Sequence, residues 1–164
     1  TGQHAAVFAR ALPEILWTPT DPDEAARASI AAWRKTAGLS NLAAPLRLDA
    51  ADPTTWPAGP FDAVVCINMV HISPWAATEG LMAGAASVLT TAGGLLVLYG
   101  PYLEADTPLA PSNAAFDADL KRRNPDWGLR DRDAVVAEAR RHGLVLTQRT
   151  EMPANNLMLL FRRA

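Results

Sequence analysis

Residues 61–68, Phe-Asp-Ala-Val-Val-Cys-Ile-Asn, form a near-continuous apolar run rich in β-branched side chains. Such a run fits a strand covered on both faces, the usual condition in a parallel sheet. A second run, Leu95 to Tyr99, follows Gly93-Gly94. Parallel neighbours need a crossover connection, ordinarily a helix. Pro74 can open one, and the sequence predicts a helix from there to about Leu89. The same alternation of strand and helix signals runs through the chain. It predicts a doubly wound α/β fold with a mostly parallel sheet.

The flanking segments fill in the order. His4 to Leu12 has small and apolar residues at helical spacing and is stopped by Pro13. Glu14 to Thr18 reads as a short strand. Asp21-Pro22-Asp23-Glu24 then has the form of an N-cap, a first-turn proline and a capping-box glutamate. The helix it starts carries Ile30 and Trp33 on one face and ends at Gly38. Leu46 to Asp49 is a minimal strand. Ser112 is placed to cap a helix to about Arg123, and Asp131 a second one ending at Gly143. Leu144 to Glu151 and Leu157 to Arg163, joined by residues 152–156, read as a terminal antiparallel hairpin.

One feature breaks the pattern. Thr1-Gly2-Gln3-His4 leads directly into a helix with no strand before it. In a doubly wound sheet the first strand is central, and the loop after it shapes the ligand site. The expectation is a single domain over residues 1–164 that lacks its N-terminal first strand and most of its glycine loop.

Composition narrows the partners. With 164 residues, 49% of them apolar, the chain can bury one sizeable core. Fifteen cationic residues face seventeen anionic ones, and the arginine pairs are scattered. Nucleic-acid binding ordinarily needs a basic patch, so none is expected. The longest apolar run, residues 63–72, is about half a membrane span, and no membrane partner is expected. The single Cys66 excludes a disulfide framework and fits a reducing, cytoplasmic compartment. His4, His71 and His142 are far apart, and no metal site is expected.

Ligands of open α/β sheets bind at the carboxyl ends of the strands. That rule selects Gly2, Asp21, Asp49, Asn68 to His71, and Gly100 to Tyr102. Asp21 could accept both hydroxyls of a ribose, or it could cap its helix. Asp49, followed by Ala50, could meet an adenine amino group, or be a solvated loop acid. Gly2 would let a ligand approach the backbone at the start of the first helix.

These signals together resemble class I S-adenosylmethionine-dependent methyltransferases, a Rossmann-like fold. Several stretches resemble the methyltransferase-like protein 26 family in particular. They are Cys66 to Trp75, Leu98 to Tyr102, Ala110 to Asp117, Trp127 to Asp131 and Met152 to Leu157. The resemblance covers essentially the whole chain. It implies S-adenosyl-L-methionine as cofactor, with Gly2, Asp21, Asp49, Ala50, Asn68 and Met69 binding it. His71, just past the strand tip, would face the methyl group as a general base of ordinary pKa, or else pack under the helix that starts at Pro74. Trp75 and Tyr102 would wall an acceptor pocket, or simply pack. Asn113, Asn155 and Asn156 would supply its amide groups, the last two being also a normal turn pair.

The tetrapeptide Asn68-Met-Val-His71 is not the proline-rich, aromatic-ended motif with which amino-methylating nucleic-acid enzymes stack a flipped base. The expected function is therefore methyl transfer to a small molecule or a peptide side chain. A non-catalytic cofactor-binding or scaffold protein of the same fold is the alternative. A third reading, an NAD(P)-dependent oxidoreductase, shares the strand-tip acid but not the terminal hairpin.

Overall fold

The computed structural model describes residues 2–91 and 93–164; Thr1, part of the opening tetrapeptide discussed above, lies outside them. Two compact units divide the chain, one up to Thr55 and one from Trp56 onward.

In the first unit, α1 (Gln3–Ala11) and α2 (Glu24–Ala37) pack together. Ala6, Ala9 and Leu42 are buried at its centre, with Trp17 and Leu39 against them. The two expected strands are reduced to isolated parallel bridges, Trp17 to Leu42 and Thr20 to Leu46. A single side chain holds the connection before them: Asn41 Nδ2 donates to the carbonyls of Ala9, Leu12 and Ile15 at 2.8–3.1 Å. The cap of α2 is Asp23, not Asp21. Its carboxylate accepts from Ala26 N at 2.7 Å, so the chain enters the helix two residues later than the proline pattern suggested.

The second unit holds a four-stranded sheet and a separate two-stranded one. Its strands are β1 (Ala63–Ile67), β2 (Leu95–Gly100), β3 (Tyr102–Leu103), β4 (Arg130–Asp131), β5 (Leu144–Met152) and β6 (Asn156–Arg163). The larger sheet runs β1-β2-β6-β5, and β3 pairs with β4. β1 and β2 are parallel, in register from Ala63–Leu95 to Ile67–Tyr99, and β3–β4 is also parallel. The terminal hairpin is antiparallel, as expected, with β6 paired to both β2 and β5. The fold is a mixed, Rossmann-like α/β.

Its core follows the period-two rule. Leu96 and Leu98 of β2 stand in register with Phe161 and Leu159 of β6, and all four are fully buried. Around the sheet lie α3 (Trp75–Val88), α4 (Pro111–Arg123) and α5 (Arg132–Arg141). Asp131 caps α5 as expected, accepting from Ala134 N at 2.7 Å. Ser112 does not cap α4. Pro111 occupies the first helical position, the cap residue is Ala110, and Ser112 lies inside the first turn. β1 also departs from expectation. It is one of the two edge strands of the larger sheet, and Ala63 and Val65 are exposed rather than covered.

Candidate active site

At the carboxyl end of the parallel pair, Asn68 N donates to Tyr99 O at 2.8 Å, extending the ladder one residue past β1. Asn68 then takes a left-handed conformation (φ 56°), and the chain turns back, with Ile72 N bonded to Met69 O at 3.0 Å. Asparagine tolerates that region better than most residues. This turn presents His71 beside the end of β2. A methyl group at Gly100, whose φ is 157°, would sit only 3.2 Å from His71 Cε1 and 3.3 Å from Asn68 Oδ1. Glycine there leaves room for both side chains.

The turn is clamped from below. Arg130 Nε donates to Val70 O at 3.0 Å, and its NH2 group reaches Ser73 O at 2.6 Å and Asp126 O at 2.7 Å. Gly128 N donates to His71 O at 3.0 Å. Leu129 N is received by the Asp117 carboxylate at 2.8 Å, which ties α4 to the same segment.

These elements enclose an open pocket of about 400 Å³. Asn68 and His71 line it, with Asn113 and Asn156 from α4 and the hairpin. Ile72, Pro101, Phe116 and Ala154 complete the lining; Pro101 falls within the Gly100 to Tyr102 segment that the strand-end rule selects, and the other three were not named for the site. A signal for them existed: each falls within one of the stretches that carry the family resemblance. Those stretches are Cys66 to Trp75, Leu98 to Tyr102, Ala110 to Asp117 and Met152 to Leu157. The fifth stretch, Trp127 to Asp131, supplies the clamp.

His71 is 3% exposed, and its Nδ1 is buried with no hydrogen-bond partner among the described residues. Phe116 meets its ring edge-on at 5.6 Å. Burial, and secondarily the charge of Arg130, pushes the imidazole down to about 4. It is thus neutral at pH 7, where an ordinary histidine would be partly charged. Cys66 is pushed up to about 12 by burial, so it remains an unreactive thiol.

Other candidates are not among the lining residues. Trp75 opens α3 and donates through Nε1 to Glu79 at 3.1 Å. Tyr102 is buried in β3, its hydroxyl unpartnered among the described residues and its pKa raised by burial. Asn155 braces the turn, donating to Ser112 Oγ at 3.3 Å. Met69 accepts at its carbonyl from Ser73 Oγ at 2.9 Å.

In the first unit, Asp21 spends one carboxylate oxygen on Asp23 N at 2.9 Å, and Asp49 spends one on Ala51 N at 3.0 Å. Asp21 directly follows the bridge at Thr20, and Asp49 lies three residues beyond its partner Leu46, with Ala50 next in the chain. Both acids therefore sit at the carboxyl side of that parallel pair. Gly2 (φ 97°) has a packing reason to be glycine, because a Cβ would lie 2.8 Å from Ile30 Cα of α2.

Residues 1–163 match the model of a protein family described as "Protein of unknown function (DUF938)". The chain belongs to the DUF938 family. Among solved structures, this DUF938 protein is similar to an O-methyltransferase family protein from Burkholderia thailandensis. The TM-score is 0.85 at 16% identity, over 99% of this chain and 48% of that one. Mitomycin 7-O-methyltransferase MmcR gives 0.85 at 18% identity, over 99% and 46%. PigF with SAH gives 0.82 at 12%, over 99% and 53%. The DUF938 chain spans about half the length of these structures. At such identities the likeness establishes a methyltransferase-like fold.

Proposed function

We propose that this DUF938 protein transfers the methyl group of S-adenosyl-L-methionine to a small molecule, and that it is related to the methyltransferase-like protein 26 family that its sequence resembles. The observation that carries the reading is the convergence of four resemblance stretches on one pocket at the carboxyl ends of β1 and β2. Open α/β sheets place their ligands there.

The cofactor would supply a methyl group already activated on a sulfonium. Asp21 and Asp49 suit its nucleoside, since each keeps a carboxylate oxygen beyond the one its own turn uses. Gly2, Ala50, Asn68 and Met69 are kept as further proposed cofactor contacts. The chain's own residues then align an acceptor and exclude water, the main requirements of such a transfer. An acceptor hydroxyl must lose its proton as its oxygen gains the methyl group. Neutral His71 is the lining group able to take it. Because that proton is held weakly, a binding protein without turnover is the second reading. The proposed compartment is the cytoplasm, and among the described residues no helix is long and apolar enough to cross a membrane.

Calorimetric titration with S-adenosylmethionine, S-adenosylhomocysteine and NAD tests the cofactor. Asp21→Ala should weaken S-adenosylmethionine binding about ten- to a hundred-fold, equivalent to about 1.5–3 kcal/mol. Asp23→Ala is the control: it should cost about 1 kcal/mol of stability through the lost cap and leave affinity unchanged. Unaltered binding by Asp21→Ala removes the ribose assignment, and preference for NAD removes the methyltransferase reading. Release of S-adenosylhomocysteine across a metabolite extract, lost in His71→Ala, separates enzyme from binding protein.

A further inference from the structure

The polar groups of the pocket are biased in what they offer a ligand. Asn113 Nδ2 donates to the main-chain carbonyl of Asn155 at 3.1 Å. Asn156 Nδ2 donates to Pro153 O at 3.0 Å. Only the NH2 end of a carboxamide can meet a carbonyl, so these contacts fix which way both amides point. Among the described residues, neither carbonyl oxygen receives a hydrogen bond, so each is the uncommitted end.

The turn that receives them is well defined. Ala154 and Asn155 both adopt left-handed conformations (φ 59° and 56°), and Asn155 is braced on Ser112. The two acceptors are therefore set before any ligand arrives, which lowers the ordering cost of binding. No Asp, Glu, Lys or Arg is among the lining residues. A charged ligand would be stripped of water with no countercharge to replace it. Phe116, Ile72 and Pro101 supply an apolar frame, and Phe116 and Ile72 are 37% and 42% exposed, open to a ring.

We propose that the pocket takes an uncharged, ring-bearing small molecule whose hydroxyl groups donate to Oδ1 of Asn113 and of Asn156. The proposal rests on the reading of this pocket as the acceptor site and names the class of acceptor. A ligand of the same shape without donors leaves both carbonyl oxygens unpaired, which sites built for hydrogen bonding penalise strongly.

The test is NMR titration of the full chain without any cofactor, using catechol, catechol dimethyl ether, benzoate and benzylamine. Catechol should bind at least about fivefold more tightly than the other three, and it should shift the Phe116 ring resonances. Asn113→Leu should abolish that preference while leaving the weak binding of the dimethyl ether unchanged. If Asn113→Leu fails to give a cooperative thermal transition, Asn156→Ser provides the same comparison. Equal binding of catechol and its ether overturns the proposal. So does preference for benzoate or benzylamine, or catechol binding that leaves Phe116 unmoved. With no cofactor in the sample, the outcome is independent of the calorimetry. A catechol preference in a protein that ignores S-adenosylmethionine keeps the ligand class and removes methyl transfer.

Discussion

Two polar clusters of the second unit use their hydrogen-bonding capacity very differently. Around Glu104 both carboxylate oxygens are engaged. Oε1 accepts from Arg132 at 2.6 Å and from Arg149 Nε at 3.0 Å, and Oε2 accepts from Arg149 at 2.6 Å. The guanidinium of Arg149 holds the Glu104 carboxyl below its ordinary pKa, despite some opposing burial. Around His71 the capacity is held back: Nδ1 has no partner among the described residues, and Asn113 and Asn156 commit only their amide ends. The first cluster ties α5 and β5 to the segment that follows β3. A half-used one costs stability until a ligand completes it. The difference argues that the first is structural and the second is a site.

The largest effect should come from the Glu104 cluster. Glu104→Gln places an NH2 group against two guanidiniums and should lower stability by about 2–3 kcal/mol in urea titration, with ligand binding unchanged. A loss below about 0.5 kcal/mol would break the comparison, making the cluster ordinary surface charge.

Acid should then separate the two clusters by pH. The folded protein keeps His71 neutral down to about 4, whereas the unfolded chain binds its proton near 6.5. Between those values the unfolded state holds the extra proton, so stability should rise with pH and level off above 6.5. His71→Gln should flatten this rise. Glu104 acts lower: its contribution is present above the ordinary carboxyl value and is lost as pH falls through the depressed folded one. A His71→Gln profile with the wild-type slope between 4 and 6.5 would place the imidazole in water.

The smallest effects belong to the pocket amides. Asn113→Ala should cost about 1 kcal/mol through its bond to Asn155, and Asn156→Ser less than about 0.5 kcal/mol. Either variant losing as much as Glu104→Gln would make the pocket amides structural.

Much of this architecture was legible because local chemistry and tertiary structure agree. Asp131 lies three residues before the amide it caps, and β2 and β6 are apolar at the positions the sheet buries. Asp21 and Asp23 were harder to separate, since either acid beside Pro22 can close the first turn; the choice is made by where the chain turns after Thr20. The segments near Trp17 and Leu46 carry strand-like residues but form only single bridges. Phe116 gave no pattern signal, because α4 is polar around most of its circumference and its one large aromatic faces a pocket rather than a core. Ala154 at positive φ was equally silent, as alanine has no preference for that conformation. The unpartnered His71 nitrogen depends on what is absent around it, which no spacing rule reports.

Arg130 has a consequence of its own. The groups it grips, the carbonyls of Val70, Ser73 and Asp126, are main-chain dipoles that neither titrate nor carry net charge. Dissolved ions screen pairs of exposed charges over about 10 Å at 0.1 M, but they have little purchase on a half-buried guanidinium bonded to carbonyls. The Glu104 pairs, with Arg149 partly exposed, fade as ionic strength rises. The turn that carries His71 does not. The hydrogen bonds that shape this turn should therefore respond less to ionic strength than the Glu104 pairs do.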